Sequence, residues 1–172
     1  MTAAAAVTTA YATGAWTGFG DAVATAAAAL AGLLFIAISI NLKQILAFAW
    51  LPSRAGQTLI LFATPLVVAV LLVVPGQARV GLALELVATG LVIGTAQVYL
   101  DVKSPRGDEE TVWRRMLGRI FPEVLSCGCI VIAGATLLGQ AGGGLYWLVP
   151  SVVTALLFGL LNVWVLLVEI LR

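Results

Sequence analysis

Histidine is absent from this 172-residue chain, and only 10% of its residues are charged. Without histidine the chain lacks the commonest metal ligand and the commonest general base. A net charge of +1 provides no basic face for phosphates, which argues against a nucleic-acid partner. With 62% hydrophobic residues and a mean hydropathy of +1.10, a soluble protein of this size would have too little polar surface to cover itself. The composition therefore predicts an integral membrane protein.

Cysteine is almost as scarce, because Cys127 and Cys129 are the two cysteines of the chain. Two residues apart on a helix, their side chains point about 200° apart, so we expect free thiols rather than a disulfide or a shared metal. Residues 1–20 contain no Lys or Arg, so we do not expect a cleaved secretory signal. The sequence has no nucleophile elbow, phosphate loop or metalloprotease motif, and we expect neither a cofactor nor an enzyme.

The chain does contain five long apolar segments. A helix of about 20 apolar residues is about 30 Å long, which matches the hydrocarbon core of a bilayer. Runs of this length without alternation exclude a transmembrane β-barrel. The sequence predicts an all-α, single-domain transmembrane bundle with spans at about residues 21–42, 55–74, 80–100, 122–138 and 146–170.

Basic residues predict the direction in which the chain crosses the membrane. Lys43 and Arg54 flank the first connection, five basic residues lie in the connection at 101–121, and Arg172 ends the sequence. Arg79 alone is predicted on the other side. Because Lys and Arg near helix ends are retained in the cytoplasm, we expect the N-terminus outside and the C-terminus in the cytoplasm.

The connection at 101–121 contains a predicted interfacial helix that leads into the fourth span. Its apolar residues recur with helical spacing, and its arginines occupy the remaining surface of the helix. The apolar face would therefore lie in the membrane surface. Its arginines either anchor the topology or bind anionic lipid head groups or a partner. The candidate lipid or partner contacts are Trp113, Arg114, Arg115 and Arg119.

Polar residues inside the spans are candidates for an ion or proton site, because each costs a few kcal/mol in hydrocarbon unless it faces protein or water. Glu85 lies six residues after Arg79, about 9 Å along the third helix. Nearer the predicted cytoplasmic ends of the first, third and fifth helices lie Asn41, Gln97 and Asn162. These four residues form the predicted site, with helix packing as the alternative role.

Small and polar residues also form stripes with helical spacing. We expect these stripes either to line a water-filled path or to form surfaces along which helices pack closely. Gly90 and Gly94 show the same small-residue spacing in the third helix. The stripe of the first helix is Asp21, Thr25, Ala28, Gly32 and Ser39, and that of the fifth includes Ser151, Ala155, Phe158 and Asn162.

The sequence AAAALAGLLFIAISINLK at residues 26–43, followed by LPSRA at 51–55, resembles a family of small bacterial membrane proteins, some of which are called modulators of FtsH protease. The resemblance covers the first helix and the start of the second. It implies an accessory protein of a membrane-anchored AAA+ protease in a bacterial inner membrane, and it brings no catalytic residues.

The sequence Gly18-Phe19-Gly20-Asp21 resembles the GxGD motif of intramembrane aspartyl proteases, with Asp101 as a conceivable second carboxylate. Such chemistry needs two carboxylates close enough to share a proton. The predicted topology puts these two about one bilayer apart, so we do not expect this activity.

Two functions are consistent with these features. The first is a non-catalytic accessory or regulatory subunit of a larger membrane complex, which fits a chain without a large soluble domain. The alternative is a channel or carrier for a small ion, using Glu85 and the inner polar residues. A single subunit of five helices is small to enclose a pore by itself, so the alternative requires a homo-oligomer.

Overall fold

The computed structural model describes residues 9–47, 50–103, 118 and 120–171, and within these ranges the chain has helices and turns but no β-strand. Five of the described helices are long and apolar enough to cross a membrane, which confirms the prediction of an all-α chain with five such helices. In chain order the helices are α1 (Thr17–Ile40), α2 (Leu42–Ala47), α3 (Leu51–Val73), α4 (Arg79–Lys103), α5 (Phe121–Gly139) and α6 (Leu148–Leu171). Of these six helices, α2 is too short to cross a membrane.

Prolines lie in the first turns of two long helices, α3 and α5. Pro52 and Pro122 fit there because the first backbone N–H groups of a helix have no partner within it, and the fixed proline φ is already helical. Helix α3 starts four residues before the predicted span, at Leu51. Pro65 lies inside α3, which continues through it to Val73, as membrane helices often do.

The turn between α5 and α6 depends on a run of glycines. Gln140 and Gly142 to Gly144 all have positive φ, between 52° and 107°, a region that favours glycine. A Cβ on Gly144 would overlap the carbonyl oxygen of Ala10. The glycines therefore let the N-terminal segment pack directly on this turn.

Helices α3, α4, α5 and α6 form a ring in which each packs against the next, and α1 packs mainly against α3. The closest approach is between α4 and α5. A Cβ on Gly134 would lie 2.6 Å from the carbonyl oxygen of Ala83, and one on Gly90 would lie 2.7 Å from Val131 Cγ2. Small residues thus bring these two backbones together, which confirms the packing role predicted for Gly90.

One end of the bundle, here called the Trp16 end, has a continuous apolar core. Trp16 is 6% exposed, its Nε1 donates to the Thr9 carbonyl oxygen at 2.9 Å, and its ring makes edge contacts with Phe19 and Tyr146. The other core members come from α3, α4, α5, α6 and the turn before α6: Val68, Leu72, Leu82, Ala83, Leu86, Ile130, Ala133, Leu137, Leu145 and Leu148. The N-terminal segment therefore closes this end.

The opposite end contains Lys43, Arg54 and Lys103 and is called the basic end. Here α1, α4 and α6 finish, and α3 and α5 begin. A small apolar cluster joins α2, α3 and α6 at this end through Ile45, Leu51, Ala55 and Leu166. Between α3, α4 and α5, however, the buried side chains of this end include several polar ones, and they form the candidate site.

Candidate functional site

Gln97 is buried deep in the bundle. Its side chain is 1% exposed, and its Nε2 donates to the backbone carbonyl oxygen of Gln57 at 3.4 Å, joining α4 to α3. One turn further along α4, Asp101 is also buried. Gln97, one residue of the predicted site, thus makes a contact between two helices.

The buried polar side chains of the basic end are Gln57, Thr58, Gln97, Asp101 and Glu123, here called the polar cluster. Glu123 comes from α5, whose level relative to α4 follows from one contact. A Cβ on Gly94 would lie 3.3 Å from Cys127 Cβ. Because α4 and α5 run in opposite directions, Gln97, three residues after Gly94, lies at about the depth of Glu123, four residues before Cys127.

Gln57 stands out within the polar cluster. It is 3% exposed, and within the described part of the chain neither its Nε2 nor its Oε1 has a hydrogen-bond partner. The same is true of Gln97 Oε1. A buried amide left in this state costs about 1–3 kcal/mol, and native proteins usually satisfy such groups with protein atoms or ordered water. The polar cluster therefore has spare hydrogen-bonding capacity for water or for a polar group of a ligand.

Sequence analysis missed Gln57, Thr58 and Glu123 as candidate residues. A signal for the α3 members was present, since Arg54, Gln57, Thr58 and Leu61 follow the spacing of one helix face. Thr58 is satisfied locally, because its Oγ1 donates to the Arg54 carbonyl oxygen at 2.9 Å. Among the described residues, Gln57 is thus the α3 residue of the polar cluster whose side-chain amide lacks hydrogen-bond partners.

Glu85 lies apart from the polar cluster. Its side chain is exposed on α4, and its Oε2 accepts a hydrogen bond from Nε2 of Gln77 in the loop before that helix. Twelve residues separate Glu85 from Gln97, which is about 18 Å along the helix. Within one chain, the structure does not bring these two predicted residues together.

The two predicted asparagines have different surroundings. Asn41 follows the last residue of α1, and its Nδ2 donates to the Ala37 carbonyl oxygen at 2.9 Å, so it caps its own helix. Asn162 is half-buried on α6. It lies between Gly159, which packs on Phe62, and Leu166, which packs on the start of α3. Asn162 is therefore at about the depth of Gln57.

The two predicted stripes have opposite orientations. On α6, Ser151 and Ala155 are buried, and the Ser151 hydroxyl donates to the Ser126 carbonyl oxygen of α5 at 2.9 Å, which is a packing role. On α1 the stripe faces away from the bundle, and its Thr25 and Ser39 hydroxyls donate to carbonyl oxygens of their own helix. The α1 stripe therefore lines no path inside one chain.

Asp21 and Asp101 lie at opposite ends of the bundle. Asp21 is exposed in the second turn of α1, at the Trp16 end, whereas Asp101 is buried near the basic end of α4. This arrangement matches the predicted separation, and the two carboxylates of one chain do not share a proton. Cys127 and Cys129 are free thiols, as predicted. Among the described residues, no group of three or more Cys, Asp and Glu side chains is placed to hold a metal ion.

The candidate contacts of the predicted interfacial helix, which are Trp113, Arg114, Arg115 and Arg119, lie outside the described residues. Comparisons of the chain with protein-family models, curated proteins and solved structures find no match. The resemblance to modulators of FtsH protease therefore stays a prediction.

Proposed function

We propose that this protein is a non-catalytic accessory or regulatory membrane subunit that binds a partner helix along the outward face of α1. The supporting observation is how little of α1 the bundle covers. Its buried residues are Gly20, Val23, Ala27 and Leu34, and the predicted stripe Asp21, Thr25, Ala28, Gly32 and Ser39 is exposed along the length of the helix.

Such a face suits a second helix better than it suits lipid. Small side chains let two helix backbones approach closely, and helix association in membranes depends on this packing because lipid supplies no hydrophobic drive. A Cβ on Gly32 meets no atom within 4 Å, so that position is open to a neighbour. Polar atoms of the partner would also meet Thr25 and Ser39.

The proposed orientation places the N-terminus outside and the basic end in the cytoplasm of a bacterial inner membrane. Lys43, Arg54 and Lys103 lie at the basic end, and Arg79 begins α4 at the other, which supports this orientation. In this orientation the predicted helix within 101–121 extends from the cytoplasmic end, where its arginines bind anionic lipids or the same partner.

A second candidate is a homo-oligomeric channel or carrier, and the position of Glu85 favours it. An exposed carboxylate inside a spanning helix is costly unless protein or water covers it, and a neighbouring copy would do so. The apolar core of the Trp16 end occupies the centre of the helix ring, so a polar path would run between copies rather than through one.

Native mass spectrometry of the complex, extracted gently from its own membrane, separates the two proposals. A stoichiometric second protein that Gly32→Leu removes, and Gly128→Leu retains, supports the accessory role. Gly128 is a matched control because a Cβ there also meets no atom within 4 Å, but on α5. A homo-oligomer without other proteins contradicts the accessory role.

For such a homo-oligomer, ion flux in proteoliposomes is the next test. The channel proposal predicts that Glu85→Gln abolishes or reshapes the flux. Asp21→Asn is the control, since Asp21 is another exposed carboxylate near the same end. Unchanged flux after Glu85→Gln would remove the role proposed for Glu85.

A further inference from the structure

A groove between α4 and α5 opens on the outer surface of the bundle, with a volume of about 560 Å³. Its lining is almost entirely apolar and includes Gly90, Gly94, Val98, Val102, Val124 and Gly128. A Cβ on Gly128 would meet no atom within 4 Å. The groove is therefore open partly because this position has no side chain.

The length of the groove indicates what fills it. From Gly90 to Val102 it follows α4 for twelve residues, which is about 18 Å. One leaflet of a bilayer has a hydrocarbon layer of about 15 Å, half of the roughly 30 Å core. A spanning helix from another protein would cross both leaflets, so the groove suits a lipid chain that extends through one.

A positive charge lies where the groove reaches the basic end. Lys103, the last residue of α4, is exposed, and its Nζ lies 4.5 Å from the centre of the Tyr99 ring, which itself lines the groove. This cation–π contact holds the ammonium group beside the mouth of the groove. Asp101, two residues earlier, is buried on the inward side of α4. Its carboxylate therefore does not face the groove.

We propose that this groove binds one acyl chain of an anionic phospholipid whose phosphate is bound by Lys103. The apolar lining and leaflet length recognise the chain, and the ammonium group selects the charge of the head group. The site is separate from the proposed partner face on α1, so the proposal holds whether or not α1 binds a partner.

The test uses the purified full-length protein in detergent, titrated with phosphatidylglycerol or with phosphatidylcholine of the same acyl chains. Native mass spectrometry measures the affinity of the first bound lipid. One lysine near a membrane surface favours an anionic lipid roughly fivefold, so we expect this preference for phosphatidylglycerol in the unmodified protein. Lys103→Gln should lower this preference about fivefold while both lipids still bind. Any preference that remains is the contribution of the arginines within 101–121, and an unchanged preference would overturn the role of Lys103.

A variant that fills the groove gives the second measurement. Gly128→Leu should remove the first bound lipid of both kinds, and Gly32→Leu, which adds the same side chain on α1, should not. Val124→Phe is a second filling variant in case Gly128→Leu does not fold, because Val124 is 53% exposed at the groove. Equal affinity of the unmodified protein for the two lipids, or unchanged binding in a folded groove-filling variant, would overturn the proposal.

Discussion

The same three helices, α3, α4 and α5, bury different chemistry at the two ends of the bundle. At the Trp16 end they meet through apolar side chains such as Leu86 and Ile130, which are fully buried. At the basic end they meet through polar ones such as Gln57 and Gln97. Apolar side chains stabilise one closed packing, whereas amides with unmet hydrogen bonds are costly until something binds them. The comparison teaches that apolar packing closes the Trp16 end, whereas the basic end keeps hydrogen-bonding capacity that its packing does not satisfy.

Among the changes predicted here, removing the side chain of Trp16 should lower the free energy of unfolding most. Trp16→Ala leaves a large cavity under the N-terminal segment and removes the hydrogen bond to Thr9, so we expect a loss of about 3 kcal/mol in the free energy of unfolding. Unfolding in mixed detergent micelles measures it. Trp164→Ala is the control, because Trp164 is 68% exposed and Trp16 is 6% exposed. Similar losses in the two variants would show that the Trp16 end is not the tightly packed end.

A methyl group added at the α4–α5 contact tests the same packing from the opposite direction. Gly134→Ala places a Cβ against the Ala83 backbone, which has little room to move, so we expect a loss of about 2 kcal/mol. The paired change Gly128→Ala should raise stability by about 0.5–1 kcal/mol, because no described atom lies within 4 Å of its Cβ and alanine is the better helix former. Unfolding curves for the two variants give the difference. If Gly134→Ala were neutral, α4 and α5 would have room to separate.

Making the basic end more apolar should have a smaller effect of the opposite sign. In the protein alone, Gln57→Leu removes two buried polar atoms without partners, so we expect the free energy of unfolding to rise by about 1 kcal/mol. Gln44→Leu is the control, since Gln44 is exposed on α2. A loss of stability in Gln57→Leu would mean that water or another group already satisfies the amide. The same variant should weaken any ligand that uses this amide.

The sequence was sufficient to predict five helices long and apolar enough to cross a bilayer, because the length of an apolar run decides whether it can cross. It was not sufficient to predict which side of a helix faces protein. A helix that is apolar all round has no stripe to mark its inner face. For this reason Glu85 and the α1 stripe were considered for an inner path, although both are exposed.

The polar cluster shares one residue, Gln97, with the predicted site. Gln97 was recognised as a polar residue inside a span, but Gln57 lies near the start of α3, where it resembles an ordinary residue of a helix end. Its burial depends on α4 packing against α3. The spacing of Arg54, Gln57, Thr58 and Leu61 marks one face of α3 but does not report which helix covers that face. The depth of Asn162 likewise follows from where Gly159 meets Phe62.

The smallest effect is expected between the two ends, where α5 and α6 are joined by Ser126 and Ser151. Their hydroxyl oxygens lie 3.1 Å apart, and each hydroxyl also donates to the other residue's carbonyl oxygen. Interhelical hydrogen bonds in membrane proteins contribute about 0.6 kcal/mol each, since the separated helices find other partners. Ser126→Ala and Ser151→Ala each remove one hydroxyl that donates to a backbone carbonyl oxygen. In unfolding curves in mixed detergent micelles, each should therefore lower the free energy of unfolding by about this value. A loss well above about 1.7 kcal/mol in either variant would mean that the serine pair, rather than the apolar core, fixes α6 against α5.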